Sequence, residues 1–106
     1  MLYDVRTYVC RAGTLRAHLA LYAEHGFDTQ RHHLGEPFGY FITETGDVNS
    51  YLHIWAYRDA ADRTQRRTAL MADPAWLAYL KLSSDAGYLI SQNNALMLEA
   101  AFSRRG

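Results

Sequence analysis

The segment Asn49-Ser50-Tyr51-Leu52-His53-Ile54-Trp55-Ala56-Tyr57 constrains the fold more than any other part of the chain. Its aromatic and branched residues favour a strand. In a strand, successive side chains point to opposite faces. One row then holds Asn49, Tyr51, His53, Trp55 and Tyr57, and the other Val48, Ser50, Leu52, Ile54 and Ala56. A sheet with one wet face alternates apolar and polar residues; this strand is largely apolar or aromatic on both sides. The run before it repeats the pattern, with Phe38, Tyr40 and Ile42 on one side and Phe41 on the other. Thr45-Gly46-Asp47 between them is turn chemistry, so the two form a hairpin. A chain of 106 residues builds one core, and its helices can cover only one side of a sheet. The expectation is a homodimer in which a second copy covers the open sheet face.

The remaining segments supply the other elements. Leu2 to Cys10 carries Tyr3, Val5, Thr7, Tyr8 and Val9, a strand composition. Leu15, Leu19, Tyr22 and Ala23 recur at helical spacing over about 14–25, with Thr14 as N-cap and Gly26 in the place of a C-terminal glycine. Residues 27–34 form a polar connection, irregular or helical. Asp59 caps a helix running to about Met71. Asp73-Pro74 restarts a helix, with proline at its first position. Ser83-Ser84-Asp85-Ala86-Gly87 reads as a loop, the last strand as about 95–101, and Ser103-Arg104-Arg105-Gly106 as a tail. The order is β-α-β-β-α-β. This predicts an α+β, ferredoxin-like (βαββαβ) domain over residues 1–106, with a four-stranded antiparallel sheet and helices on one face.

Eleven basic residues balance eleven acidic ones, so no basic surface marks the chain for nucleic acid or an anionic membrane. No stretch approaches the ~18 apolar residues of a membrane span. The single cysteine, Cys10, cannot close an intrachain disulfide. The start Met1-Leu2-Tyr3-Asp4-Val5-Arg6 has neither a signal-peptide nor a transit-peptide pattern. A cytoplasmic protein is expected, with no nucleic-acid and no membrane partner.

The row His53, Trp55 and Tyr57, with Asn49 beyond Tyr51, suits a pocket with apolar walls and a few polar anchors. The same residues also suit a plain core. His53 is the candidate acid or base, since small shifts move an imidazole across neutral pH, and Glu44 is its nearest expected partner across the hairpin. Arg63 and Arg67, four apart on one helix face, form a candidate anion clamp or pair with Asp59, Asp62 or Glu44. His32-His33 lacks partners at metal-ligand spacing. The phosphate-binding, dinucleotide and nucleophile-elbow motifs are absent. No metal site and no cofactor are expected.

Thr43-Glu44-Thr45-Gly46-Asp47-Val48-Asn49, His53-Ile54-Trp55-Ala56-Tyr57, Arg63-x-x-x-Arg67 and Asp73-Pro74-x-Trp76 follow one another in an order that resembles the NIPSNAP family. Arg6-Thr7-Tyr8 and Ala12-Gly13 resemble the family's start, where Pro-Gly is more usual. The resemblance spans nearly the whole chain and is closest to bacterial single-domain members. It implies a dimeric α/β-barrel made of two ferredoxin-like subunits. Related folds include cofactor-independent monooxygenases, isomerases and haem-degrading enzymes. By that analogy a ligand sits between sheet and helices, His53 and Tyr57 line its cavity, and Asn49 and Trp55 share the strand face. Three functions follow as expectations. The first is a protein binding a small organic ligand, oxygenase-like or isomerase-like if it is an enzyme. The second is a non-catalytic interaction or stress-response module. The third is a haem or metal handler using His53.

Overall fold

In the computed structural model, which describes residues 1–103, the elements are β1 (Leu2–Cys10), α1 (Leu15–His25), α2 (Phe27–Leu34), β2 (Gly39–Ile42), β3 (Ser50–Tyr57), α3 (Ala60–Met71), α4 (Pro74–Ala86) and β4 (Leu89–Leu98), then a short 3₁₀ turn, Ala101–Ser103. The sheet order is β2-β3-β1-β4 with every neighbouring pair antiparallel. This is the expected ferredoxin-like α+β arrangement. The tail residues 104–106 lie outside the described residues.

Local chemistry explains most boundaries. The Asp59 carboxylate accepts from Asp62 N at 2.8 Å, and that of Asp73 from Ala75 N at 2.9 Å, with Pro74 in the first turn of α4. Thr14 occupies the cap position of α1 without capping it; its hydroxyl donates backward to the Arg11 carbonyl at 2.8 Å. Gly26 ends α1 at a negative φ, so no left-handed turn demands it. Space does: a β-carbon there would sit 3.0 Å from the Tyr79 ring and 3.1 Å from that of Tyr22. The connection after it is helical, as α2.

Two boundaries depart from the sequence reading. Residues 83–86 are the last turn of α4, not a loop; Lys81 and Asp85 pair one turn apart at 2.9 Å, and Gly87, in the left-handed region at φ +67°, ends the helix. Strand β4 begins at Leu89 and ends at Leu98 rather than covering 95–101. Its polar centre, Gln92-Asn93-Asn94, pairs along Tyr8, Thr7 and Arg6 of β1. Backbone pairing and polar neighbours carry this stretch into the sheet although it lacks strand composition.

The register puts Tyr51, His53, Trp55 and Tyr57 of β3 level with Tyr8, Arg6, Asp4 and Leu2 of β1. These four β3 residues are buried beneath the helices; Trp55 and Tyr57 pack in a core with Tyr22, Leu34, Leu70, Trp76 and Tyr79, and Tyr51 in a second one with Cys10 and Leu15. Leu52, Ile54 and Ala56 point to the opposite face and are only partly buried. Phe41 and Met97 are more than half exposed, and the register sets them on that same open face, opposite Leu52 and Tyr3. Among the described residues, no helix is long and apolar enough to cross a membrane.

Candidate functional site

The helix-covered face of the sheet is divided into an aromatic chamber and a charged cluster, with His53 between them. The chamber is a cavity of about 80 Å³. The sheet supplies Tyr8, Tyr40, Tyr51, His53 and Gln92, and the helices above supply Tyr22, Gln30, Trp76, Tyr79 and Ser83. Leu80, Ser83, Leu89 and Gln92 also line a more open cleft of about 320 Å³ between α4 and β4, which adjoins the chamber.

The rings form an ordered wall. Tyr40 stacks on His53 at 4.7 Å between centroids and 20° between planes, and on Tyr51 at 5.8 Å and 13°. Tyr22 continues the stack beyond Tyr40 at 5.5 Å and 22°. Tyr8 meets the His53 ring edge-on, 4.8 Å away and at 80°. A buried phenol needs a partner for its hydroxyl. Tyr22 donates to the Gln30 side chain, and Tyr51 is 2.6 Å from His18 Nε2. Burial pushes the Tyr22, Tyr40 and Tyr51 hydroxyls far above the ordinary phenol range, and that of Tyr79 to about 12. All four are neutral at physiological pH.

His53 is 2% exposed. The indole N–H of Trp55 donates to its Nδ1 at 2.7 Å. An indole nitrogen is only a donor, so Nδ1 is unprotonated and the neutral ring carries its proton on Nε2. That atom is buried and has no hydrogen-bond partner. Burial first, and then the nearby Arg6 charge, lower the His53 pKa from 6.5 to about 3. The ring is therefore held as a neutral donor at pH 7. Glu44 is not its partner; it lies exposed at the hairpin turn.

On the other side of His53, Asp4 is fully buried and bound on three sides. Arg6 Nη1 approaches at 3.2 Å, Arg63 Nε at 3.1 Å and Asn94 Nδ2 at 3.0 Å. Burial alone would raise its pKa, but the Asn94 hydrogen bond and the two guanidinium charges outweigh it and hold the carboxyl below its ordinary value. Two cations around one carboxylate leave the cluster with excess positive charge. Arg6 also donates through Nε to the Tyr8 hydroxyl at 3.0 Å, linking cluster to chamber.

The sequence-predicted residues therefore separate. His53 lines the chamber. Trp55, fully buried, stands behind it and sets its tautomer. Tyr57 does not line the chamber; its hydroxyl is buried beside the Arg67 and Arg63 charges, without a partner at hydrogen-bonding geometry, and burial raises its pKa. Asn49 precedes β3 and accepts from Gly13 N at 3.3 Å, on the surface. Arg63 pairs with Asp4 and not with Asp59, Asp62 or Glu44, because β1 brings Asp4 beneath α3. Arg66, not Arg67, takes Asp62. Arg67 borders a shallow surface depression on α3, while Arg63 is engaged by Asp4. Among the described residues, no three His, Cys, Asp or Glu side chains gather as a metal-binding group.

Sequence reasoning missed the chamber tyrosines and the Asp4 cluster. A signal for each was present. Eight tyrosines in 106 residues is a large phenol load for one core, and Asp4, Arg6 and Tyr8 share one face of β1 through simple alternation.

Comparison with known proteins agrees with this architecture. The NIPSNAP family model matches residues 3–104. A solved NIPSNAP-family structure from Agrobacterium tumefaciens, described as having unknown function, is 40% identical with a TM-score of 0.88, covering 97% of this chain and 91% of that one. Protein NipSnap homolog of Dictyostelium discoideum is 32% identical over 76 residues; that match takes in 72% of this chain and 33% of the relative, so the chain spans about a third of that protein's length. More distantly, an antibiotic biosynthesis monooxygenase shares the fold, with a TM-score of 0.64 at 18% identity over 94% of this chain and 99% of that one. On its sequence match and its fold, the chain belongs to the NIPSNAP family.

Proposed function

We propose that this protein binds a small, flat organic molecule in the chamber between sheet and helices, and works as a homodimer in the cytoplasm. The observation that carries the reading is the buried, unpartnered Nε2–H of His53, a residue of the aromatic chamber wall. Buried polar atoms without partners are rare and costly in native proteins, and a ligand atom would satisfy this one. The chamber alone is smaller than the ~150 Å³ cavity that accepts benzene. It shares Leu80, Ser83, Leu89 and Gln92 with the 320 Å³ cleft, which on this reading gives a planar ligand its way in and room for a substituent. Any reaction would be oxygenase-like, as the shared fold of the monooxygenase suggests, or isomerase-like. His53 would then stabilise charge on the ligand rather than move a proton itself.

The open sheet face supports the dimer. A monomer of this mass typically exposes about 6,000 Å²; this chain exposes 6780 Å². The excess is of the order of one partner's share of a standard interface, about 800 Å². The chain is also a slab, 40 × 36 × 18 Å, with Phe41 and Met97 bare on one side. That face also favours a second reading, a non-catalytic interaction module built on the same dimer.

Thermal-shift screening against a broad panel of small aromatic and carbonyl compounds, alongside His53→Phe, tests the ligand reading. Stabilisation of the wild type that the variant lacks is expected, and no stabilisation by any compound would favour the second reading. Sedimentation at micromolar concentration is expected to give twice the chain mass, and a clean monomer would remove the dimer.

A further inference from the structure

We infer that the chamber selects ligands that present an acceptor oxygen, above all an ionised phenol or enol, to the Nε2–H of His53. This rests on the ligand-binding reading above and adds the chemical class of the ligand. Three observations carry it. First, the Trp55 indole occupies Nδ1 as a donor, so the one polar atom of the ring left for a ligand is an N–H. The ligand atom must accept. Second, Tyr8 also lines the chamber, and its hydroxyl oxygen already accepts from Arg6 Nε. Its own proton is left to donate. Third, the neighbouring charges are Arg6, Asp4 and Arg63, two positive and one negative, and His18 is neutral by burial. Their balance favours negative charge on whatever His53 touches. Among the described residues lining the chamber there is no carboxylate, so no negative charge there repels an anionic oxygen or forms an ion pair with a ligand cation. The stacked rings of Tyr40, Tyr51 and His53 favour a planar molecule over a compact tetrahedral anion.

Trp55 is, on this account, a positioning residue. It does not reach the chamber, but it decides which ring nitrogen carries the proton.

Two experiments test the inference. Nitrogen-15 NMR of the free protein reads the tautomer without any ligand. The wild type is expected to show His53 protonated at Nε2, and Trp55→Phe to show a mixture. A wild-type proton on Nδ1 would overturn the inference. Fluorine NMR titrations then compare pentafluorophenol, ionised at neutral pH, with pentafluorotoluene and pentafluoroaniline. The phenolate is expected to bind at least about tenfold more tightly than either, the scale of one charged hydrogen bond, and His53→Phe to abolish the preference once circular dichroism has shown it folded. Equal binding of all three probes, or a preference that survives in the variant, would overturn the selectivity and leave the chamber as a binding site. Failure of every probe to bind would overturn both readings.

Discussion

The two faces of the sheet use similar residues under opposite conditions. On the helix side, Tyr51, His53, Trp55 and Tyr57 are buried, and a polar tip left without a partner, as at His53 Nε2 and the Tyr57 hydroxyl, is costly. On the other side, Leu52 and Ile54 are only partly buried, and Phe41 and Met97 are more than half exposed. The covered face carries the Asp4 ion cluster and the buried ring polar atoms, and the bare face carries smaller polar groups such as the Thr43–Ser50 hydroxyl pair. Burial under the chain's own helices creates specific demands, such as a tautomer, an ion cluster and an orphan donor. An uncovered apolar face demands only area, which in the proposed dimer a second copy would supply.

Substitutions that act on one face and spare the other sharpen this contrast. The largest effect is expected at Asp4. Asp4→Ala leaves the Arg6 and Arg63 guanidinium groups without their shared carboxylate and should cost about 3–5 kcal/mol in denaturant unfolding, the scale for breaking a buried pair. A loss below 1 kcal/mol would mean that the cluster is solvated and the covered face is not sealed.

Acid should act next. His53 has a folded pKa of about 3 against 6.5 unfolded, so the unfolded chain takes up a proton that the folded chain refuses. Stability is complete above pH 6.5 and declines as pH falls from there towards 3. Between pH 7 and 5 the expected loss is about 2 kcal/mol. His18, whose pKa is also lowered by burial, adds in the same direction. A stability curve that is flat over this interval would show His53 to be in contact with water.

Tyr51→Phe is expected to cost about 1–2 kcal/mol, because it removes the partner of His18 Nε2 in a ring whose Nδ1 already has none. The least costly change should be on the bare face. Phe41→Lys with Met97→Lys should alter the stability of an isolated chain by no more than about 0.5 kcal/mol, yet halve the mass seen in sedimentation. Unchanged mass with unchanged stability would show that this face is not where copies meet.

The strand-helix order, the hairpin and the two-sided character of β3 were legible because each rests on local periodicity and turn chemistry. The start of β4 was not. Gln92-Asn93-Asn94 has no strand propensity, and only its neighbour β1 makes it a strand. The end of α4 was misread for a related reason: Ser83-Ser84-Asp85 is loop-like by composition, but the helix continues until Gly87 turns left-handed. The position of His53 on the helix-covered face was legible from its strand row. Asn49 stands outside that row because β3 begins one residue later, and the Arg63 partner was missed because Asp4 lies 59 residues away in sequence.

Sequence by itself determined which side chains share a face, since alternation along a strand is a property of the backbone. It also determined that one sheet face would lack cover. The family follows from the ordered motifs. Tertiary structure alone decided what each polar atom meets. It set the indole of Trp55 against one nitrogen of His53 and left the other bare. It also gathered two cations around one carboxylate. Protonation and charge in a buried site depend on the distances between elements far apart in the chain, and no local pattern encodes those distances.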